Sequence, residues 1–265
     1  MPRPHVYKTQ AIVLRQRKLG EADKIVTLYT AHGGKVDAVA KGVRRTKSRL
    51  AGHLEPLTLG SYLLAEGREL DIVTQAETVD AFPGLRDDLE RISRGLYCAE
   101  LVERLTPDRS EGNPIFRLLH QTLGYLSMEA NYELAVRRFE LRLLDELGYR
   151  PALINCAVCD HRLEPVDNFW SVSAGGAVCP GCADEALYLA PLSLNALKML
   201  RLLARSPFED AARVRVSGGL SAELESCLTD YVHYVLERDV RSARFVETLR
   251  TLPGRIESRS AASDV

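Results

Sequence analysis

The spacing of apolar residues changes period at Pro83, and no other feature constrains the fold as tightly. Ahead of it, apolar and polar residues alternate in five short runs: Tyr7–Leu14, Lys24–Thr30, Lys35–Lys41, Leu57–Ala65 and Glu69–Gln75. Alternation of this kind belongs to half-buried strands. Behind it, apolar residues recur at helical spacing, first as Leu89, Ile92, Leu96 and Ala99, then as Ile115, Leu118, Leu119, Thr122 and Leu126. A third stripe holds Leu134, Phe139, Leu143, Leu144 and Leu147, and helical periodicity returns at Ser193–Ala204 and from Ser221 to about Leu249. Asn113 followed by Pro114 suits the start of the second helix, and Gly148 the end of the third. Five strands in so short a stretch predict a small barrel. His32-Gly33-Gly34 makes a tight turn between the second and third strands, and Lys41–Glu55 a long connection after the third. Five antiparallel strands with one long loop form the OB-fold pattern, an SH3-like barrel being the other closure.

The expected fold class is therefore α+β and multidomain. An N-terminal OB-fold barrel over 1–80 precedes a helical domain over 81–265, which a four-cysteine ribbon interrupts at about 150–190. The polar end, 253–265, reads as a flexible tail.

Four of the six cysteines make two Cys-x-x-Cys pairs, Cys156 with Cys159 and Cys179 with Cys182, joined by the stretch from Asp160 to Val178. Each pair places two sulfurs on one side of a tight knuckle, and two knuckles close a tetrahedron around a zinc ion. Pro180-Gly181 supplies a turn within the second knuckle, and Gly175-Gly176 lets the chain fold back before it. Disulfides and a thioredoxin-like redox pair are the competing readings. The first suits an oxidising compartment and the second needs a single pair, so one Zn2+ is the better expectation. Four thiolates leave no open coordination position, which makes the expected site structural. His161 is a spare donor that the site does not need. Cys98 and Cys227 fall on apolar helix faces and read as small buried hydrophobes.

Charge is distributed unevenly. Residues 1–54 hold twelve Lys and Arg against three Asp and Glu, a balance of +9; with −1 for the whole chain, residues 55–265 carry −10. An end so basic attracts polyanions, and nucleic acid becomes the candidate partner. The densest stretch is Lys41-Gly-Val-Arg-Arg-Thr-Lys-Ser-Arg49, with five cations among its nine positions. Lys35, Lys41, Arg44, Arg45, Lys47 and Arg49 are the candidate DNA-binding residues, a merely solvated loop being the alternative. Aromatic residues for base stacking are few. Tyr7, Tyr29 and Tyr62 are available, each as suited to the core, so phosphate contacts with weak sequence preference are expected. The longest uncharged stretch, Asn168–Ala183, is too short and too polar to span a membrane. Nor does the N-terminus read as an export signal, so the expected location is the cytoplasm, in association with the nucleoid.

No phosphate loop, nucleophile elbow or His-Glu-x-x-His motif is present. The acidic pairs Asp87-Asp88 and Glu209-Asp210 sit where helices are expected to start, which the helix dipole explains. The reading is of a protein that is not an enzyme.

Several stretches carry a family resemblance. Leu19-Gly-Glu-Ala-Asp-Lys-Ile-Val-Thr-Leu-Tyr-Thr30 is followed by Gly34-Lys-Val and Ala40-Lys-Gly-Val-Arg-Arg45. Phe139-Glu-Leu-Arg-Leu-Leu-Asp-Glu-Leu-Gly-Tyr-Arg-Pro151 then leads into Cys156, and Arg241-Ser-Ala-Arg-Phe245 lies near the end. In this order they resemble the RecO family of bacterial DNA repair and recombination mediators, from about position 7 to 249. Asp160 departs from the family, which commonly has Gly after the second cysteine. The resemblance implies binding of single- and double-stranded DNA and annealing of complementary strands. It also implies cooperation with RecR in loading RecA onto strands covered by single-strand-binding protein. That protein's acidic, apolar C-terminal tail would dock on the helical domain, where Arg137, Arg138 and Arg142 are candidate contacts. The alternative for these arginines is an exposed face paired with Glu133, Glu140 and Glu146. A zinc-ribbon transcriptional regulator is the competing function, but between Asp160 and Ala183 only His161 and Arg162 could meet a polyanion. A small hydrolase or nuclease would need a carboxylate or histidine cluster, and none is seen.

Overall fold

Alternation ahead of Pro83 builds five strands: β1 (Val6–Leu19), β2 (Asp23–Thr30), β3 (Gly34–Ala40), β4 (Leu59–Ala65) and β5 (Asp71–Asp80). They are seen in a computed structural model that describes residues 5–110, 113–128, 132–208, 210 and 214–251, with side chains as far as 237. The strands close into a barrel in the order β1-β2-β3-β5-β4. β3 and β5 pair in parallel through Ala38 with Asp71 and Val39 with Ile72, and every other pairing is antiparallel. This is the OB closure. β1 runs past the Leu14 expected from alternation, as far as Leu19, because it belongs to both halves of the barrel: Val6–Ile12 pairs with β4 and Ala11–Leu19 with β2. A register shift between Val13 and Arg15 supplies the bend that such a shared strand needs.

Alternation decides what faces where. Ala11, Val13, Val26, Leu28, Ala38, Tyr62 and Leu64 fill the barrel, together with Val43 and Leu54 from the long connection. Ile12, Leu14 and Tyr29, one residue out of phase, point outward into a second core shared with the helices. Truncating one such aliphatic side chain to Ala would cost about 2–5 kcal/mol.

The helices are α1 (Pro83–Arg86), α2 (Leu89–Leu105), α3 (Asn113–Met128), α4 (Tyr132–Glu146), α5 (Leu194–Arg205) and α6 (Gly218–Thr251). Asp88 caps α2 by accepting the amides of Glu90 and Arg91, as the acidic pair at 87–88 suggests. Gly148 ends α4 with φ of 81°, and Tyr149 N donates to Leu144 O at 2.7 Å. The stripe expected on α2 requires correction. Leu89 is 81% exposed and Leu96 42%, while Cys98, Ala99, Leu101, Val102 and Leu105 are buried. α2 is wedged between the barrel and the other helices, so its C-terminal half buries more than one stripe. α4 goes further, with every residue from Leu134 to Leu141 buried, three charged ones among them.

The four-cysteine segment contributes a small sheet, β6 (Asn168–Ser171), β7 (Gly176–Val178) and β8 (Leu189–Leu192), in the order β7-β6-β8. Its Trp170 is buried against Tyr231 of α6, with ring centroids 5.6 Å apart. The ribbon thereby joins the helical core. Gly176 makes this possible: a Cβ there would lie 2.5 Å from Ala152 N, and φ is 145°. Among the described residues, no helix is long and apolar enough to cross a membrane. The expected tail at 253–265, Glu209 and the side chains of Arg241–Phe245 lie outside the described residues.

Candidate nucleic-acid interface and metal centre

The basic segment is a displayed surface on a tethered backbone. Val43 is buried in the barrel core, Gly42 N donates to Asp23 Oδ1 at 2.7 Å, and Arg44 N donates to Ala22 O at 2.9 Å. Around these anchors Lys41, Arg44, Arg45, Lys47 and Arg49 are exposed. Arg44 Nη1 donates to the carbonyls of Gly20 and Glu21, whereas the other four side chains meet no hydrogen-bonding or ionic partner among the described residues. Cations held this way present their charge without an ion pair among the described residues.

Lys35 departs from the expectation. Its Nζ donates to Glu103 O at 2.7 Å and Thr106 O at 2.8 Å and lies 3.2 Å from Asp108 Oδ1. It caps the C-terminal carbonyls of α2, where a cation is favoured. Neighbouring Gly34 has φ of 61° and no room for a Cβ, which would fall 2.3 Å from Ser110 O. Lys35 is thus a fastener between barrel and helices. For Tyr29 and Tyr62 the core alternative holds. Tyr29 and Tyr62 are fully buried, and Tyr7 donates its hydroxyl to Asp71. Burial raises the Tyr29 phenol to about 12, and neither buried ring offers a face to a base.

The four cysteines of the two knuckles come together, their sulfurs all within 4.8 Å of one another. Cys159 and Cys179 sulfurs are 3.8 Å apart, which matches the edge of a tetrahedron with metal–sulfur bonds of about 2.3 Å. Around Cys156 burial opposes ionisation, but amides of Cys159, Cys179 and Val158 aim at its sulfur and bring the thiol down to about 6. Hydrogen bonds from the neighbouring thiols push Cys182 the other way. Four thiolates this close repel one another, and a divalent cation among them relieves that repulsion by stabilising every thiolate at once. The donors fit a metal ion, and soft thiolates in fourfold array fit zinc. His161 stands outside the cluster. Asp160 takes the left-handed conformation, φ 58°, that a glycine would adopt without strain. Its carboxylate accepts from Asn155 Nδ2 at 3.0 Å, so the turn survives the departure.

The three arginines of α4 do not form the exposed row expected of them. Arg137 is buried, its guanidinium 3.2 Å from Glu140 and 3.8 Å from Glu225. Tyr97 donates to the same Glu140 at 2.7 Å, and burial nonetheless raises that carboxyl to about 7. Arg138 Nε donates to Ser206 O at 3.0 Å, and its guanidinium carbon lies 4.3 Å from the Phe208 ring centroid. Arg142 pairs with Asp145 and Glu146 at 3.6 and 3.7 Å. Because α4 is enclosed by α2, α3, α5 and α6, adjacent positions meet different neighbours. Of the three, Arg138 lines a cleft of about 510 Å3, with His120, Tyr125, Met128 and Phe208 around it. Those residues come from three separate stretches, so nothing in sequence spacing could have assembled them.

An OB barrel, a helical body built on its flank and a docked four-thiolate ribbon define an α+β protein of barrel-plus-helices type with one candidate metal centre. The chain belongs to the RecO family of DNA repair proteins. Residues 3–82 match the family model described as Recombination protein O N terminal, and residues 86–244 the one described as Recombination protein O C terminal. It is 44% identical over 250 residues to the DNA repair protein RecO of Roseiflexus sp. (strain RS-1), covering 94% of this chain and 88% of that one. To the protein of the same name from Pelotomaculum thermopropionicum it is 40% identical over 261 residues, 98% of this chain and 99% of the other. That of Dehalococcoides mccartyi (strain CBDB1) is 34% identical over 250 residues, 94% and 98% of the two chains. A role in DNA repair follows.

Proposed function

We propose that the protein is a recombination mediator that binds single- and double-stranded DNA, anneals complementary strands and, with RecR, assists the loading of RecA onto DNA covered by single-strand-binding protein. It acts at the nucleoid in the cytoplasm and catalyses no bond-breaking step. The observation that carries this reading is the anchored loop whose Lys41, Arg45, Lys47 and Arg49 are exposed and meet no partner among the described residues. Phosphates would replace condensed counterions there, which gives affinity without sequence preference. Cys156, Cys159, Cys179 and Cys182 would hold one structural Zn2+, which keeps the knuckles closed and performs no reaction step.

For the tail of single-strand-binding protein, the cleft beside Arg138 is the better seat than a row of three arginines. It offers a guanidinium for a carboxylate and the Tyr125, Met128 and Phe208 surfaces for apolar side chains. A ribbon-borne transcriptional regulator is less well supported, because the cations sit on the barrel. The deciding experiment is annealing of complementary oligonucleotides by the full-length protein and by Arg44→Glu/Arg45→Glu. Loss of annealing in the variant supports the reading; equal rates overturn it.

A further inference from the structure

OB barrels commonly take nucleic acid across the face of their second and third strands. Here much of that face is taken up. Tyr29 of β2, with Ile12 and Leu14 of the adjoining β1, is buried under the helices, and the outward Ile25 and Thr27 of β2 are buried as well. The cations on that side are also engaged. Arg15 pairs with Glu103 at 2.8 Å, Arg17 with Asp37 at 3.0 Å, and Lys35 with the end of α2. A strand laid there would have to displace these pairs and the helices as well.

The opposite face is open. Register places Lys8 of β1, Leu63 of β4 and Gln75 of β5 in one row, and Gln10, Ser61 and Glu77 in the next. Above them lean Arg49 and Leu50 from the end of the basic segment, enclosing a cleft of about 550 Å3 that Lys8, Leu63, Thr74 and Gln75 also line. Lys8 and Arg49 have no side-chain partner among the described residues. Unpaired cations stand on both walls, amide and hydroxyl groups lie between them, and Leu63 and Leu50 give apolar contact for a sugar or base. Glu77 closes one end and repels phosphate, which confines a backbone to the side of Lys8 and Arg49.

We propose that single-stranded DNA passes from the basic loop into this cleft, over the first half of β1 and over β4 and β5, and not across β2 and β3. The proposal rests on DNA binding by the basic loop and adds its path. Lys8, isolated from the basic run in sequence, becomes a phosphate contact. With no aromatic ring among the residues lining the cleft, the preference among bases is weak.

The test is fluorescence anisotropy of a labelled oligothymidylate with the full-length protein, comparing Lys8→Glu, Lys8→Gln, Lys18→Glu and Arg44→Glu/Arg45→Glu across salt concentrations. Lys18 is exposed on the far part of β1 and its reversal changes net charge by the same amount as reversal of Lys8. The expected result is about fivefold weaker binding for Lys8→Glu, a smaller loss for Lys8→Gln, and a salt slope flatter by about 0.7 in both. Lys18→Glu should stay within about twofold of the parent, as expected for a charge acting only at a distance. Equal losses from Lys8→Glu and Lys18→Glu, or no loss from Lys8→Glu while Arg44→Glu/Arg45→Glu weakens binding, would overturn the path and leave the loop assignment standing. If Arg44→Glu/Arg45→Glu also binds as the parent does, the loop assignment itself fails.

Discussion

Arg109 Nη2 donates to Asp71 Oδ1 at 2.7 Å, tying the segment behind α2 to the first residue of β5. The carboxylate is fully buried, and it also accepts from the Tyr7 hydroxyl and from Gly67 N at 3.1 Å. Together with Lys35 on the end of α2, this contact fastens the barrel to the helices through polar groups at the margin of their shared apolar core.

That site has a pH signature. Burial alone would raise the Asp71 carboxyl, but the hydrogen bonds from Tyr7, Arg109 and Gly67 outweigh it and hold the group below its ordinary value. The unfolded chain therefore takes up the proton first as pH falls, and the stabilisation, complete above about pH 4, disappears through the window below it. Asp71→Asn should cost about 1–3 kcal/mol at pH 7, and less as the pH approaches 3. Urea unfolding of both proteins at a series of pH values measures this; a constant difference would mean that Asp71 is not ionised in the native state.

Cysteine replacement tests the metal centre. Metal analysis of the purified protein should find one zinc per chain. Cys179→Ser should lose it and become less stable or insoluble, because the bound ion contributes folding free energy. The effect should spread beyond the ribbon, since Trp170 and Tyr231 tie it to α6. Full zinc occupancy in the variant would remove Cys179 from the ligand set.

Salt dependence reads the basic loop. Five phosphate contacts from Lys41, Arg44, Arg45, Lys47 and Arg49 contribute about −3.5 to the log–log slope on single strands, and Lys8 about −0.7 more. Arg44→Glu/Arg45→Glu should flatten it by at least about 1.4 and weaken unrelated sequences alike. Zinc content should be unchanged, and thermal stability nearly so, with only the contacts of Arg44 to Gly20 and Glu21 given up.

Peptide binding separates the arginines of α4. Arg138→Glu should abolish binding of an acidic, apolar C-terminal peptide, while Arg142→Glu, whose side chain is engaged with Asp145 and Glu146, should bind within about twofold of the parent. Titration calorimetry with the folded variants decides it. Equal losses would move the peptide away from the cleft. Arg138 is buried too, so its variant counts only if its thermal unfolding matches that of the parent, and Arg137, a buried partner of Glu140, is left out of the comparison.

Much of this protein is legible in its sequence. Alternation gave up the barrel strands, helical spacing the helices, and two Cys-x-x-Cys pairs the metal cluster, because each signal is local. Gly148, Asp88 and Ser193 could likewise be placed at helix ends from a few neighbouring residues. Lys35, Arg137 and Tyr29 could not. Each sits in a pattern that reads as exposed or ambiguous, and each is buried or engaged by a partner distant in the chain or by a helix laid across its strand. Composition and spacing determined that the chain has a basic barrel, a helical body and a thiolate ribbon. Which cations remain without a partner was decided only when α2 and α3 packed against β1 and β2, since the ion pairs and burial that silence a charge come from contacts the linear order does not contain.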